Sequence, residues 1–160
     1  MRLTTYTDYS LRVLTRLALQ PEELVTIAEI ARAYGISEHH LMKVVHQLGI
    51  AGYVETVRGH GGGMRLAKPA AEIVVGDVVR RTEPDFGLVD CFRTSGSCVI
   101  EPACALSGLL GEALGAFLDV LDRHTLADLV AKRAPLMMLL DPTAKTAPLP
   151  GGAPSPGRRN

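Results

Sequence analysis

The sequence predicts a mainly α-helical protein with one small β-hairpin, arranged as a winged helix-turn-helix followed by a long C-terminal helix. Two short helical segments flank a tight turn at Gly35. Alternating residues then predict a hairpin directly after the second of these helices, which is the layout of a winged helix. The third observation is an apolar helical pattern that runs from Cys104 to about Asp122.

The first helix is expected to begin near residues 5 to 8. Thr5 and Asp8 have the spacing of a capping box, in which side chains satisfy backbone N–H groups at a helix start. Apolar residues then recur at helical intervals, at Leu11, Leu14, Leu17 and Ala18. Because proline breaks a helix interior, Gln20-Pro21 should end this helix.

The helix-turn-helix is predicted between residues 26 and 48. Thr26 and Glu29 form a second capping-box pattern, and Gly35 should end this short helix. Ser37 is expected to cap the helix that follows. The inward face of that helix should consist of Leu41, Val44, Val45 and Leu48, whose spacing matches one helical stripe.

A hairpin and a further helix complete the predicted winged helix. Residues 53–57 alternate as a strand does, residues 58–63 (RGHGGG) form a glycine-rich tip, and residues 64–66 return as the partner strand. A helix through Gly76 to Thr82 should end before Pro84.

Two faces of the long helix, residues 104–122, predict that it packs against another helix. On one face the residues recur at intervals of four, three and four, and are Leu110, Leu114, Phe117 and Leu121. Ser107, Gly111 and Gly115 are spaced by four on a different face. Since a glycine inside a helix costs about 1 kcal/mol relative to alanine, another backbone is expected to approach there. We therefore predict a homodimer through residues 104–122.

The remainder of the C-terminal region is expected to be a shorter helix and a tail. The helix is predicted around Thr125 to Arg133. The last twenty residues, 141–160, contain five prolines, three glycines and one large aliphatic residue, Leu149. Such a segment cannot bury enough apolar surface to order itself, so a disordered tail is predicted.

Charge is distributed unevenly although the formal net charge is zero. Residues 39–68 contain four lysines and arginines against a single acid, Glu55, whereas residues 101–128 contain five acids and one base. A basic region in the helix-turn-helix and hairpin favours a nucleic-acid contact. The candidate DNA-binding residues lie on the exposed face of the second helix and in the hairpin, and are His39, His40, Lys43, His46, Gln47, Arg58, His60 and Arg65. Such side chains reach phosphates and base edges of double-stranded DNA.

Several other classes of protein are disfavoured by the sequence. No apolar run approaches a membrane span, and the first twenty residues carry three charges within their apolar pattern, so neither a signal peptide nor an anchor is expected. Three cysteines without a framework of pairs indicate a reducing cytoplasm. The glycine run 61–63 lies at a hairpin tip, and no nucleophile–base pair is evident, so an enzyme is not expected.

All three cysteines lie in one segment with the pattern C-x6-C-x5-C, at Cys91, Cys98 and Cys104. Cys104 precedes the long helix, whose N-terminus favours negative charge and hence a thiolate. Converging thiolates bind soft metals, and this spacing differs from the C-x2-C pairs of zinc sites and indicates an iron–sulfur cluster. The residues alone leave open three free or buried cysteines, or a redox pair with one spare thiol.

Motifs in a common order relate the chain to a known family. The opening MRLTTYTDYSLRVL, the hairpin VRGHGGGMRLAKP, the stretch IVVGDVVRRTEP, the cysteine segment ending in PAC, and TLADLV together resemble the Rrf-type winged-helix transcriptional regulators. Within that family they are most similar to the nitric-oxide-sensing repressors. The resemblance covers roughly residues 1–140 and excludes the tail.

The resemblance implies a DNA-binding homodimer that recognises a palindromic operator and whose cysteines hold a 4Fe–4S cluster that responds to nitric oxide. Its fourth ligand would be an aspartate of the other subunit, which corresponds here to Asp8, with Arg12 one helical turn later beside it. Asp90, Glu101 and Ser107 are other oxygen donors near the cysteines. The implied organisation is a DNA-binding domain, a cluster-binding loop, dimerisation helices and a tail, at residues 1–84, 85–103, 104–140 and 141–160.

Two alternatives remain at this stage. Relatives that govern iron–sulfur assembly hold a 2Fe–2S cluster through three cysteines and a histidine three residues after the last of them, where this chain has Ser107. A related regulator that senses iron–sulfur status or oxidative stress is therefore one alternative. A zinc- or thiol-stabilised interaction protein is the other.

Overall fold

The structure is a computed structural model, and it describes residues 2–89, 92, 99–100 and 103–140. These residues form a mostly helical unit with a two-stranded antiparallel sheet, which confirms the predicted fold class. The elements are α1 (Thr5–Leu19), α2 (Ile27–Tyr34), α3 (Glu38–Ile50), β1 (Val54–Val57), β2 (Gly63–Leu66), α4 (Val75–Thr82), α5 (Ala105–Asp122), α6 (Leu126–Leu129) and α7 (Arg133–Leu140). A short 3₁₀ turn, Ala70–Glu72, precedes α4.

The cap of α1 differs from the sequence prediction by one residue. Thr4 is the N-cap, and its hydroxyl accepts a hydrogen bond from the Thr7 N–H at 3.2 Å. The expected capping box of Thr5 and Asp8 is therefore wrong, because Thr5 is already the first helical residue. The same Thr4 hydroxyl donates to Glu83, 79 residues later in the chain, and this tertiary contact favours Thr4 over Thr5.

The two helices of the helix-turn-helix begin and end where the sequence predicts. Thr26 and Glu29 form the expected capping box, and the bonds from the Thr26 N–H and hydroxyl lower the pKa of the Glu29 carboxyl. Gly35 ends α2 in the left-handed conformation at φ 67°, which glycine adopts without strain. Ser37 is the N-cap of α3, although its side chain makes no capping hydrogen bond.

The wing is an antiparallel hairpin packed against α1 and α3. Val54 pairs with Leu66 and Val57 with Gly63, so residues 58–62 form its tip. Met64 also exchanges two backbone hydrogen bonds of 2.9 Å with Val25, which fixes the hairpin to the segment before α2. The wing is thereby held at a defined position relative to the helix-turn-helix.

One hydrophobic core holds α1, α2, α3 and the wing together. It contains the four predicted inward residues of α3, and Leu14 and Leu17 of α1 are 0% and 1% exposed. Burying a leucine of this kind contributes about 1.5–3 kcal/mol relative to leaving it in water. Leu126 of α6 is 1% exposed and belongs to the same core, and its N–H donates to the Ile73 carbonyl at 2.8 Å. The chain therefore returns to the winged helix after α5.

A short polar joint connects α4 to the end of α5. The Arg80 guanidinium donates two hydrogen bonds of 2.6 Å to the two oxygens of Asp122, and this pairing raises the pKa of Arg80 and lowers that of Asp122. Gly76 allows the close approach, since a Cβ there would lie 1.8 Å from Asp122 Oδ1. The joint fixes the C-terminal end of α5 against α4.

The long helix begins at Ala105 with Cys104 as its N-cap, close to the predicted start. None of its 18 residues is buried within the protomer. The shorter helix predicted around Thr125 to Arg133 is instead a single turn, Leu126–Leu129, and a separate helix follows at Arg133–Leu140. The predicted tail, 141–160, lies outside the described residues. Among the described helices, none is both long and apolar enough to cross a membrane.

Candidate nucleic-acid interface and cysteine site

The outer face of α3 is mostly polar, with Met42 also exposed on this helix. All five predicted DNA-binding residues of this helix are exposed, namely His39, His40, Lys43, His46 and Gln47. The helix keeps this face outward because its apolar stripe is buried in the core. An exposed helix with imidazole, ammonium and amide groups on one side can enter the major groove of DNA and donate to phosphates or base edges.

Aromatic contacts fix the start of this face. The His40 ring lies 6.4 Å from the ring of Tyr9 on α1 and 6.2 Å from the ring of His39, measured between ring centres. Tyr9, the residue after Asp8, therefore brings α1 into contact with the first turn of α3. No pattern in the sequence predicts this contact of Tyr9.

The wing presents the three predicted DNA-binding residues of the hairpin at or near its tip. Arg58 and His60 are exposed in the tip, and Arg65 is exposed on β2. Arg65 forms an ion pair with Glu55, its register partner on β1. A phosphate would therefore compete with the Glu55 carboxylate for Arg65.

We expect Arg58→Ala to weaken duplex binding by roughly threefold to tenfold and to reduce the slope of log affinity against log salt by about 0.9, the value for one phosphate contact. Glu55→Gln should strengthen binding, because it frees Arg65 from its ion pair. Fluorescence anisotropy at several salt concentrations measures both. Lys132→Ala, which removes an exposed charge outside this face, is the control. An Arg58→Ala slope equal to that of wild type would remove Arg58 from the DNA contact.

Asp8 lies on the surface of α1, one turn before Arg12. The Arg12 Nε donates to both carboxylate oxygens at 3.0 Å, and the Asp8 side chain remains 46% exposed. The predicted pairing of these two residues is therefore present. An accessible carboxylate in this position can reach a group outside its own protomer.

Of the three predicted thiol ligands, only Cys104 lies within the described residues. It is a free cysteine, partly buried, at the N-cap of α5. Cys91 and Cys98 lie outside the described residues. Within the described ranges, no group of three or more histidine, cysteine or acidic side chains is placed to hold a metal ion.

The start of α1 is attached to the segment that leads towards the cysteines. The Thr4 N–H and hydroxyl donate to the same Glu83 oxygen at 2.8 and 3.1 Å. A cavity of about 280 Å³ lies beside this contact, between residues 2–4, residues 83–88 and Phe117 of α5. The N-cap of the helix that carries Asp8 is therefore bonded to the exit of the winged helix within one protomer.

A winged helix with an exposed second helix, a basic wing and a C-terminal helix that has no fully buried residue in the protomer defines a DNA-binding transcriptional regulator. Residues 3–132 match the model of the Rrf2 family, described as iron-dependent transcriptional regulators. The chain belongs to the Rrf2 family. Its relatives and structural neighbours are transcriptional regulators, so it is not an enzyme.

Similar proteins are known from sequence and from structure. The chain is 57% identical over 142 residues to the HTH-type transcriptional regulator NsrR of Geobacillus kaustophilus (strain HTA426), a match that covers 88% of this chain and 97% of that protein. It is 54% identical to NsrR of Bacillus subtilis (strain 168), with the same coverage. Among solved structures, IscR of T. potens has a TM-score of 0.68 at 26% identity, covering 84% of this chain and 90% of that one. The oxidised form of CymR from Staphylococcus aureus has a TM-score of 0.66 at 29% identity, covering 81% and 95%.

Proposed function

We propose that this protein is a transcriptional repressor that binds a palindromic operator as a homodimer and senses nitric oxide through a 4Fe–4S cluster. Cys91, Cys98 and Cys104 of one subunit and Asp8 of the other would hold the cluster. The observation that carries this proposal is the 57% identity to a regulator named NsrR. The cysteine segment and the opening of the chain, which resemble the nitric-oxide-sensing members of the family, support it.

The described part of the donor set fits such a cluster. Thiolates are the usual ligands of iron–sulfur clusters, and a carboxylate is an anionic oxygen donor. Cys104 is not in a disulfide, and Asp8 is accessible at the protein surface. When bound, the cluster would supply iron, for which nitric oxide is a strong ligand that competes with thiolate and carboxylate.

The surface of α5 supports a homodimer. Leu106, Leu109 and Val120 are 56%, 62% and 46% exposed, and the helix buries no residue within its own protomer. A Cβ on Gly111 or Gly115 would meet nothing within 4 Å, so the protomer itself leaves room for an approaching helix. Apolar exposure of this kind in a soluble regulator favours an interface.

The proposed switch depends on residues that join two subunits. While Asp8 of one subunit and Cys104 of the other bind the same cluster, α1 of the first subunit would be fixed against α5 of the second. Half-sites of a palindromic operator are read by two recognition helices about one turn of DNA, roughly 34 Å, apart. Release of Asp8 and the thiols would remove this connection between the subunits. The two α3 helices would then lose their fixed spacing, and the protein would dissociate from the operator.

An anaerobic titration tests the proposal. An operator is first selected from a library of random duplexes with the cluster-loaded protein, and iron and sulfide per protomer and the absorption spectrum are recorded. Binding is then measured as nitric oxide is added from a donor compound. We expect tight binding of an inverted repeat that is lost as the cluster absorbance changes. Equally tight binding by cluster-free protein would reject the switch.

The structural similarity to IscR supports a second candidate function, that of a regulator of the same fold that senses iron–sulfur status or oxidants. Ser107 provides a hydroxyl where those relatives carry a histidine ligand, and this position disfavours their 2Fe–2S ligation. A 2Fe–2S spectrum, or an operator released by iron depletion but not by nitric oxide, would favour this second function. An interaction protein without a DNA function is disfavoured by membership of a transcriptional regulator family.

A further inference from the structure

Arg12 lies between the predicted iron ligand and the helix-turn-helix. Its Nε donates to both oxygens of Asp8, while its guanidinium carbon is 5.6 Å from the centre of the Tyr34 ring. Tyr34 is the last residue of α2. Arg12 thus contacts a carboxylate on α1 and an aromatic face at the end of α2 at the same time.

We propose that Tyr34 is a positioning residue that, through Arg12, couples the state of the Asp8 carboxylate to the placement of the recognition helix α3. This proposal rests on the proposed function, in which Asp8 is an iron ligand. It deepens that function by naming the contact through which a change at Asp8 would reach the DNA-binding face.

The first step of the coupling is competition for Arg12. Both Asp8 oxygens now accept from the same Nε, at 3.0 Å each. Coordination of a metal through one oxygen would withdraw that oxygen and reduce the negative charge available to Arg12. The Tyr34 ring face, which attracts cations, would then hold the guanidinium more strongly. Release of Asp8 reverses this preference.

The second step is the short path from Tyr34 to α3. Only Gly35 and Ile36 separate Tyr34 from Ser37, the N-cap of α3, and Ile36 is 8% exposed in the core. The end of α2 and the start of α3 are therefore joined by a short turn that is packed into the core through Ile36. The first turn of α3 carries His39 and His40, and the ring of His40 also contacts Tyr9 next to Asp8.

Arg16 adds a second positive charge near Tyr34. Asp8, Arg12 and Arg16 are spaced by four along α1, so they share one face of the helix. In the part of the chain that the structure describes, Nε and Nη1 of Arg16 are buried without a hydrogen-bond partner. Burial raises the pKa of the Tyr34 phenol, whereas the charges of Arg12 and Arg16 lower it, so both cations act on Tyr34.

The test compares operator affinity with and without the cluster. The quantity of interest is the ratio of the two dissociation constants, cluster-free over cluster-loaded, on one selected duplex. For Tyr34→Leu we expect this ratio to fall about fivefold, within the range of about twofold to thirtyfold that a cation–π contact supports. Tyr34→Phe keeps the ring face and should retain the wild-type ratio. A merely structural loss would weaken both forms equally and leave the ratio unchanged.

Iron content, thermal unfolding and the affinity of cluster-free protein are measured for every variant, and Tyr34→Leu should change none of them strongly. Arg12→Gln combined with Tyr34→Leu should lower the ratio no further than the larger single effect, because both variants remove one contact. A wild-type ratio near one would overturn the proposed function and this coupling with it. A large wild-type ratio that Tyr34→Leu leaves intact would overturn the coupling alone.

Discussion

We expect Cys104→Ser to remove most of the bound iron, since loss of even an outer partner of a metal ligand reduces metal affinity about 10- to 100-fold. The expected result includes loss of the cluster absorbance and of all nitric oxide response in operator binding. Iron analysis and anisotropy on anaerobically purified protein measure these quantities. The reason is direct: Cys104 is a free thiol at the start of α5, where the cysteine segment joins the long helix.

Ser107→Ala is the matched control for this variant. Ser107 lies one turn into the same helix and offers the oxygen that could replace a histidine ligand. The alanine variant should keep its iron and its nitric oxide response. If it lost the cluster while Cys104→Ser kept it, the assignment of ligands at the start of α5 would be reversed.

Gly111→Ala in α5 is expected to weaken the dimer by at least about tenfold, because overpacking costs roughly 1–3 kcal/mol and a two-fold interface contains the change twice. A Cβ at this position meets nothing within 4 Å in the protomer. In an isolated helix the same substitution would stabilise by about 1 kcal/mol. The sign of the effect therefore distinguishes a covered face from a free one. Sedimentation equilibrium gives the dissociation constant.

Gly108→Ala provides the comparison for the dimer. Its Cβ is also unobstructed, but Gly108 is not one of the residues Ser107, Gly111 and Gly115 that recur at intervals of four. This variant should stabilise the protein without changing dimerisation. Equal stabilisation by Gly111→Ala, with an unchanged dimer, would contradict an interface along the glycine face of α5.

Local sequence patterns were sufficient to predict most elements of the winged helix. The α3 stripe, the Thr26–Glu29 capping box and the Gly35 turn depend on residues within a few positions of one another, and each occurs as predicted. The cap of α1 could not be obtained in this way. Thr4 and Thr5 are locally equivalent, and the contact that favours Thr4 comes from Glu83, far along the chain.

The helices after α5 show the same limit. A capping box at Thr125 marks where α6 begins, but its single-turn length is set by tertiary packing, with Leu126 inserted into the core of the winged helix. A pattern of so few residues contains no information about that partner.

For the candidate site, the exposed residues of α3 follow from its periodicity, whereas the contacts of Tyr9 and Tyr34 do not. They depend on how α1 is placed against α2 and α3, which only the folded chain defines. The spacing by four of Asp8, Arg12 and Arg16 was a usable signal that this face of α1 is polar. The predicted thiol ligands Cys91 and Cys98 remain predictions from the sequence.

In the proposed switch, one cluster is shared between Asp8 of one subunit and the cysteines of the other. A dimer of two different variant subunits tests this sharing. Subunits with Asp8→Ala and subunits with Cys104→Ser are co-produced with different affinity tags, and the heterodimer is isolated on both tags. If ligands come from two subunits, one of its two sites keeps all four ligands and the other loses two. If they come from a single subunit, each site lacks one ligand. We therefore expect the heterodimer to contain half as much iron as the wild-type dimer, well above the iron content of either homodimeric variant. Iron no higher than the mean of the two homodimers would contradict it.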